Sequence, residues 1–177
     1  MPNIVYIATS LDGYIADRDG GVEWLQEIPN PEASDCGFAE FMAGVDAVVM
    51  GRVTYETVLG FDCEWPYSKP VIVLSRTLTA VPEELSGKVE FLSGPPADVV
   101  AHLRGRGFER LYVDGGRTIH GFLGADLIDE LIVSTLPILL GGGTPLFDAL
   151  PGRLTFEHVR TEVLLDAIVK SHYRRGR

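Results

Sequence analysis

Cysteine is almost absent from this chain: Cys36 and Cys63 are the two in 177 residues. They match no metal-ligand spacing, and a small domain held together by disulfides carries more of them. Two reduced thiols in a cytoplasmic protein are the expectation. Positive charge is scarce too. Fifteen Lys and Arg stand against 25 Asp and Glu, a formal net charge of −10. Such a surface repels phosphate backbones and anionic lipid, so neither nucleic acid nor a membrane is an expected partner. No apolar run approaches the roughly 20 residues that span a bilayer. Met1-Pro2-Asn3 enters a strand-like run directly, without signal-peptide grammar. His102, His120, His158 and His172 show no metal-binding spacing, and no metal is expected. Internal repeats, linkers and low-complexity segments are missing, so one domain over residues 1–177 is the economical reading.

What is present is an alternation of apolar strands and short helices. With 46% hydrophobic residues, the length suits a full core. Residues 3–9 (NIVYIAT), 45–50, 70–75 (PVIVLS), 88–92 and 111–113 read as buried strands. Helices are expected after Ser34 or Asp35, with Phe38, Phe41 and Met42 inward, and over 54–59, 95–107 and 118–123. Beyond residue 125 strands dominate: 127–140, broken by Gly141-Gly142-Gly143, then 155–161 and 162–173. This order predicts an α/β fold with a mostly parallel central sheet and antiparallel C-terminal strands.

Two strands end in the same grammar. Ala47-Val48-Val49-Met50 runs into Gly51-Arg52-Val53-Thr54, and Leu111-Tyr112-Val113 into Asp114-Gly115-Gly116-Arg117-Thr118. A helix N-terminus at the end of a parallel strand carries free N–H groups and positive partial charge. Glycine permits close approach, arginine adds a bidentate donor and threonine a hydroxyl. Two such ends could hold a pyrophosphate between them; the plainer alternative is a pair of tight turns with solvated arginines. Neither junction matches the G-x-G-x-x-G or Walker spacing.

MGRVTYE (50–56), VIVLSR (71–76) and VDGGRTIHGFL (113–123) resemble segments of dihydrofolate reductases. SLDGYIA (10–16), the Trp65-Pro66-Tyr67 loop and DELIVSTLPILLGGGTPLF (129–147) are similar, more closely, to the dihydrofolate-reductase-like family that includes the riboflavin-pathway reductase, the RibD C-terminal domain. The resemblance covers nearly the whole chain, in order. It implies a three-layer sandwich that binds NADPH. By the same resemblance Gly51, Arg52, Thr54, Gly115, Gly116, Arg117 and Thr118 contact the cofactor phosphates. Ser75 and Arg76 hold the adenosine ribose and its 2′-phosphate, and Ala8 lies near the nicotinamide. Relatives pair through their C-terminal strands, which implies a homodimer.

If the acceptor is a C=N or a carbonyl, a proton must accompany the hydride. Asp35 sits where folate reductases carry an acidic residue. It could bind a heterocycle, act as an acid if burial raised its pKa, or simply cap its helix. Asp12 is a second candidate, although Asp12-Gly13 is also an ordinary turn. Trp24 and Trp65 could wall the substrate pocket or merely fill core. Folate itself is disfavoured. The place of the arginine that would grip its glutamate tail reads Tyr67-Ser68-Lys69-Pro70. The zinc signature of the deaminase that accompanies riboflavin-type reductases is also missing. The expectation is a stand-alone NADPH-dependent reductase of a small heterocycle. A pterin reductase and a non-catalytic nucleotide-binding module are the alternatives.

Overall fold

The central strands are apolar at nearly every position because both faces of the sheet are covered. A computed structural model describes residues 1–177. In chain order it contains β1 (Asn3–Thr9), β2 (Tyr14–Ala16), α1 (Phe38–Ala43), β3 (Ala47–Gly51), α2 (Arg52–Leu59), β4 (Val71–Leu74), β5 (Val89–Leu92) and α3 (Pro96–Gly105). Then come β6 (Leu111–Asp114), α4 (Gly116–Gly124), β7 (Glu130–Thr135), β8 (Thr144–Pro145), β9 (Phe156–Leu164) and β10 (Ile168–Arg175). The main sheet runs β5-β4-β3-β6-β1-β7-β10-β9. All neighbours from β5 to β7 are parallel, and β10 pairs antiparallel with both β7 and β9. This is the dihydrofolate-reductase-like three-layer sandwich.

The two-residue period of a strand sorts its side chains between the layers. Val5, Val49 and Val113 face α3 and α4, where Leu103, Ile119 and Phe122 pack on them. Ile4, Val48, Met50 and Tyr112 face the other way, toward Met42 of α1 and Tyr55 of α2. Each fully buried aliphatic side chain contributes about 1.5–3 kcal/mol. A third cluster gathers Trp24, Leu136 and Ile168 beneath the loops beside β1. No helix is long and apolar enough to cross a membrane.

Two boundaries differ from the sequence expectation. Only residues 130–135 of the apolar stretch 127–140 are strand. After Thr135 the chain leaves the main sheet, and β8 pairs with β2 in a separate two-stranded ribbon. The last hairpin turns at Leu165-Asp166-Ala167, not near residue 161. Leu165 and Asp166 are both left-handed, with φ of 51° and 53°. Such turns favour Gly and Asn, and this one has neither, so its sequence carries no turn signal.

Candidate active site

The parallel strands β1, β3, β4 and β6 all end on the same edge, so Gly51, Ser75 and Asp114 come out side by side. There α2 and α4 begin, and their first turns interlock. A Cβ on Gly51 would lie 2.9 Å from Thr118 Oγ1 of α4, and one on Gly115 would overlap Thr54 Oγ1 of α2. Each glycine thus seats the threonine of the opposite helix. Gly115 also has φ 88° and ψ 138°, a conformation open to glycine. Neither helix start has a side-chain cap. Two sets of unclaimed N–H groups therefore converge, with their dipoles adding positive potential.

The shared grammar of the two junctions has a structural counterpart in this reciprocal seating. The threonines serve packing, Thr118 being buried. The arginines point outward. Arg52 pairs with Glu56 at 3.1 Å on the surface, a bond worth only a few tenths of a kcal/mol. Arg117 and Arg76 are exposed and make no side-chain hydrogen bond or ion pair in this chain. Arg76 and Ser75 line a cleft of about 480 Å³ with Ser93, Gly94 and Pro95, at the start of α3. Ser93 and Gly94 carry no motif that the sequence alone would single out. Ser75 Oγ also accepts the Leu78 amide at 3.1 Å, stapling its own loop. Gly116 leaves room for the β2–β8 ribbon, since a Cβ there would meet Ile15 and Thr144. Ala8 lies beside the Trp24 cluster on the α1 side of β1.

The group that sequence reasoning missed is Asp114. It ends β6 on the face of Tyr112, opposite Met50. Burial lifts its carboxyl to about 6, and the Gly115 amide and the nearby Tyr112 hydroxyl lower it only in part. The Tyr67 phenol is raised, by burial first and by Asp114 second. The one available signal was a carboxylate closing an apolar strand, where Asp is a poor strand former.

Asp35 is exposed. It accepts the Ala39 amide at 2.8 Å and the Gly37 amide at 2.9 Å. Those bonds, Ala39 first, hold its carboxyl below the usual range. The condition for an acid role, a pKa raised by burial, is not met; the helix-start role is the one its geometry displays. Asp12 accepts from Ser10 Oγ at 2.6 Å and from the Gly141 and Leu140 amides at 2.8 and 3.1 Å. Its carboxyl is likewise lowered, by Ser10 first. Asp12 latches the 10–13 turn to the triple-glycine loop. His120 Nε2 hydrogen-bonds the Leu146 carbonyl at 2.7 Å. Trp65 packs edge-on to Tyr55 and Tyr67. The indole N–H groups of Trp24 and Trp65 are both buried without a partner, each costing about 1–3 kcal/mol unless an acceptor arrives.

The strand ends fit a dinucleotide: glycines where a backbone must be approached closely, uncapped helix starts, and the exposed Arg76 and Arg117. The chain matches the family model described as the RibD C-terminal domain over residues 4–169. It is 32% identical to YwjB of Bacillus subtilis (strain 168), itself uncharacterized, over 98% of this chain and 97% of that one. A crystal structure from Shewanella sp. PV-4, provisionally named for riboflavin biosynthesis, is 52% identical with a TM-score of 0.97, and all of each chain is covered. The Thermotoga maritima diaminohydroxyphosphoribosylaminopyrimidine deaminase/5-amino-6-(5-phosphoribosylamino)uracil reductase shares the fold at 17% identity and a TM-score of 0.74. The match takes in 99% of this chain and 57% of that one.

Proposed function

Because the chain belongs to the RibD C-terminal domain family, we propose that it is a reductase of riboflavin type. As one domain over residues 1–177, it uses NADPH to reduce a small heterocycle of the ribosylamino-pyrimidine class. The observation that carries this reading is the pair of uncapped helix starts held together by the Gly51–Thr118 and Gly115–Thr54 contacts. In this reading the diphosphate rests on the N–H groups of α2 and α4, with Arg52 and Arg117 at its sides. Arg76 in the Ser75–Ser93 cleft receives the 2′-phosphate, as a planar, always-charged donor suits it. NADPH supplies the hydride when bound. The chain orients the acceptor, excludes water and manages the proton.

Asp114 is the proposed proton source. A carboxyl near 6 is protonated often enough at neutral pH to donate and is still basic enough to be refilled. Asp35, ionised and fixed by two amides, is proposed as an acceptor-side carboxylate for a ring N–H. Trp24 and Trp65 would offer their orphaned N–H groups to the ligand. The exposure of Asp35 alone would suit a nucleotide-binding module without chemistry; Asp114 favours the reductase. The proposed setting is a cytoplasmic homodimer.

The test combines binding and turnover. Ligand at about 100 times its dissociation constant adds roughly 2.7 kcal/mol, a rise in melting temperature of about 5–11 °C for a chain of this size. The expected result is that rise with NADPH and a smaller one with NADH. Turnover of 5-amino-6-(5-phosphoribosylamino)uracil should register as loss of NADPH absorbance. Arg76→Ala should weaken NADPH roughly 10- to 100-fold, the scale of one charged hydrogen bond, and leave NADH nearly unchanged. An unaltered NADPH/NADH ratio would remove Arg76 from the site, and no shift with either nucleotide would remove the cofactor.

A further inference from the structure

Lys170 is a buried lysine on a strand otherwise remote from the cofactor turns. It stands opposite Ser134 of β7, which stands opposite Ala8 of β1. Its Nζ donates to the Cys36 carbonyl at 2.9 Å and lies 3.1 Å from Glu162. It also sits 5.7 Å from the centre of the Tyr6 ring. Tyr6 Oη donates to the same Cys36 carbonyl at 3.0 Å. Two donors from two strands thus converge on one backbone oxygen.

The segment they grip carries left-handed backbone at three positions. Ala33 and Cys36 have φ of 50° and 55°, and Gly37 comes next at 86°. Non-glycine residues in that region store strain, which persists only where surrounding contacts over-determine it. The space at Gly37 belongs to the clamp as well, since a Cβ there would come within 3.1 Å of Lys170 Nζ. Asp35 lies inside the gripped segment, three residues before the start of α1.

We infer that Lys170 is a positioning residue: with Tyr6 it clamps the Cys36 carbonyl and thereby fixes where the Asp35 carboxylate meets the acceptor. The step from clamp to acceptor rests on the reductase reading above; the clamp itself does not. A charged amine suits the task because it donates to the carbonyl and is neutralised by Glu162. Its compact head also fits beside Gly37, where a guanidinium would not.

The experiment uses the full chain with Lys170→Met, Lys170→Arg, Tyr6→Phe and the Lys170→Met/Tyr6→Phe double variant. Met keeps length and apolar contact, Phe keeps the ring, and Glu162 is exposed enough to remain solvated when left alone. Amide exchange is the first readout. Gly37 and Ala39 should exchange at least tenfold faster in Lys170→Met, with β3 and β6 unchanged. The double variant should exceed the product of the two singles, because each single keeps one donor. Wild-type exchange in the double variant would overturn the clamp. Kinetics with NADPH and 5-amino-6-(5-phosphoribosylamino)uracil is the second readout. The acceptor KM should rise about tenfold in Lys170→Met, without rescue by Arg, while the NADPH dissociation constant holds. Fast exchange with an unchanged acceptor KM would overturn the positioning role. A wild-type enzyme inert toward this acceptor would sink the acceptor assignment, and the exchange data would still decide the clamp.

Discussion

Asp114 shows what burial does to a single residue. Its folded pKa, about 6, lies above the ordinary 3.8. The folded chain therefore holds the proton more tightly than the unfolded one. The protonated carboxyl is tolerated below about pH 4, and stability drains away as pH climbs from there to 6. Asp114→Asn should remove that slope. Its advantage over wild type should grow between pH 4 and 6 and reach about 3 kcal/mol at pH 8; urea melts at several pH values measure it. An advantage that does not grow with pH would remove the burial argument. Turnover should move oppositely, with wild-type kcat/KM falling above pH 6 and the Asn variant lacking that limb. The residues legible in the sequence were those with unusual local grammar: the glycines, the arginines and Arg76 after its strand. Asp114 was illegible because its property comes from tertiary burial, which no local pattern encodes. Asp35 reads in the sequence as a possible helix cap; in the structure Gly37 is the N-cap residue of α1, and Asp35, two residues earlier, takes the Gly37 and Ala39 amides.

Between elements, the reciprocal seating of α2 and α4 separates two kinds of glycine. Gly51 has φ −83°, which any residue adopts, so only the contact with Thr118 forbids a side chain. Gly115 is constrained by Thr54 and also by its φ of 88°. Gly51→Ala and Gly115→Ala should each lower the melting temperature, the second by more, since a left-handed backbone adds about 1–3 kcal/mol of strain. Adding Thr118→Ala should restore the first almost fully. Adding Thr54→Ala should restore the second only in part. Equal recovery in both pairs would mean that backbone strain is unimportant at Gly115. Strand and helix order was readable because covered strands are apolar throughout and the junctions carry glycine. The ends of β7 and β9 were not. Apolar loop residues such as Leu136 are buried outside the main sheet, and the last turn uses Leu165 and Asp166 in place of Gly or Asn.

Over the whole molecule, the helices pack on β3, β4 and β6, and the edge strand β9 of the C-terminal hairpin is exposed along most of its length. Val163 and Val169 form a cross-strand pair and are both exposed. Their neighbours Thr161 and Ser171 bond to each other and carry no charge. In a chain of net charge −10, a face without carboxylates is where two copies meet with least repulsion. Val163→Glu should therefore shift the proposed homodimer to monomer in sedimentation velocity; an unchanged dimer would place the interface elsewhere. The strand order has a further consequence, for synthesis on the ribosome. Both neighbours of β1, β6 and β7, lie more than about a hundred residues downstream. At roughly 5–20 residues per second, β1 waits about 5–20 s with Ile4, Val5 and Ile7 unpaired. β1 is translated well before either strand it pairs with, so a nascent chain stalled before β6 offers a bare apolar strand to whatever chaperone stands at the tunnel exit.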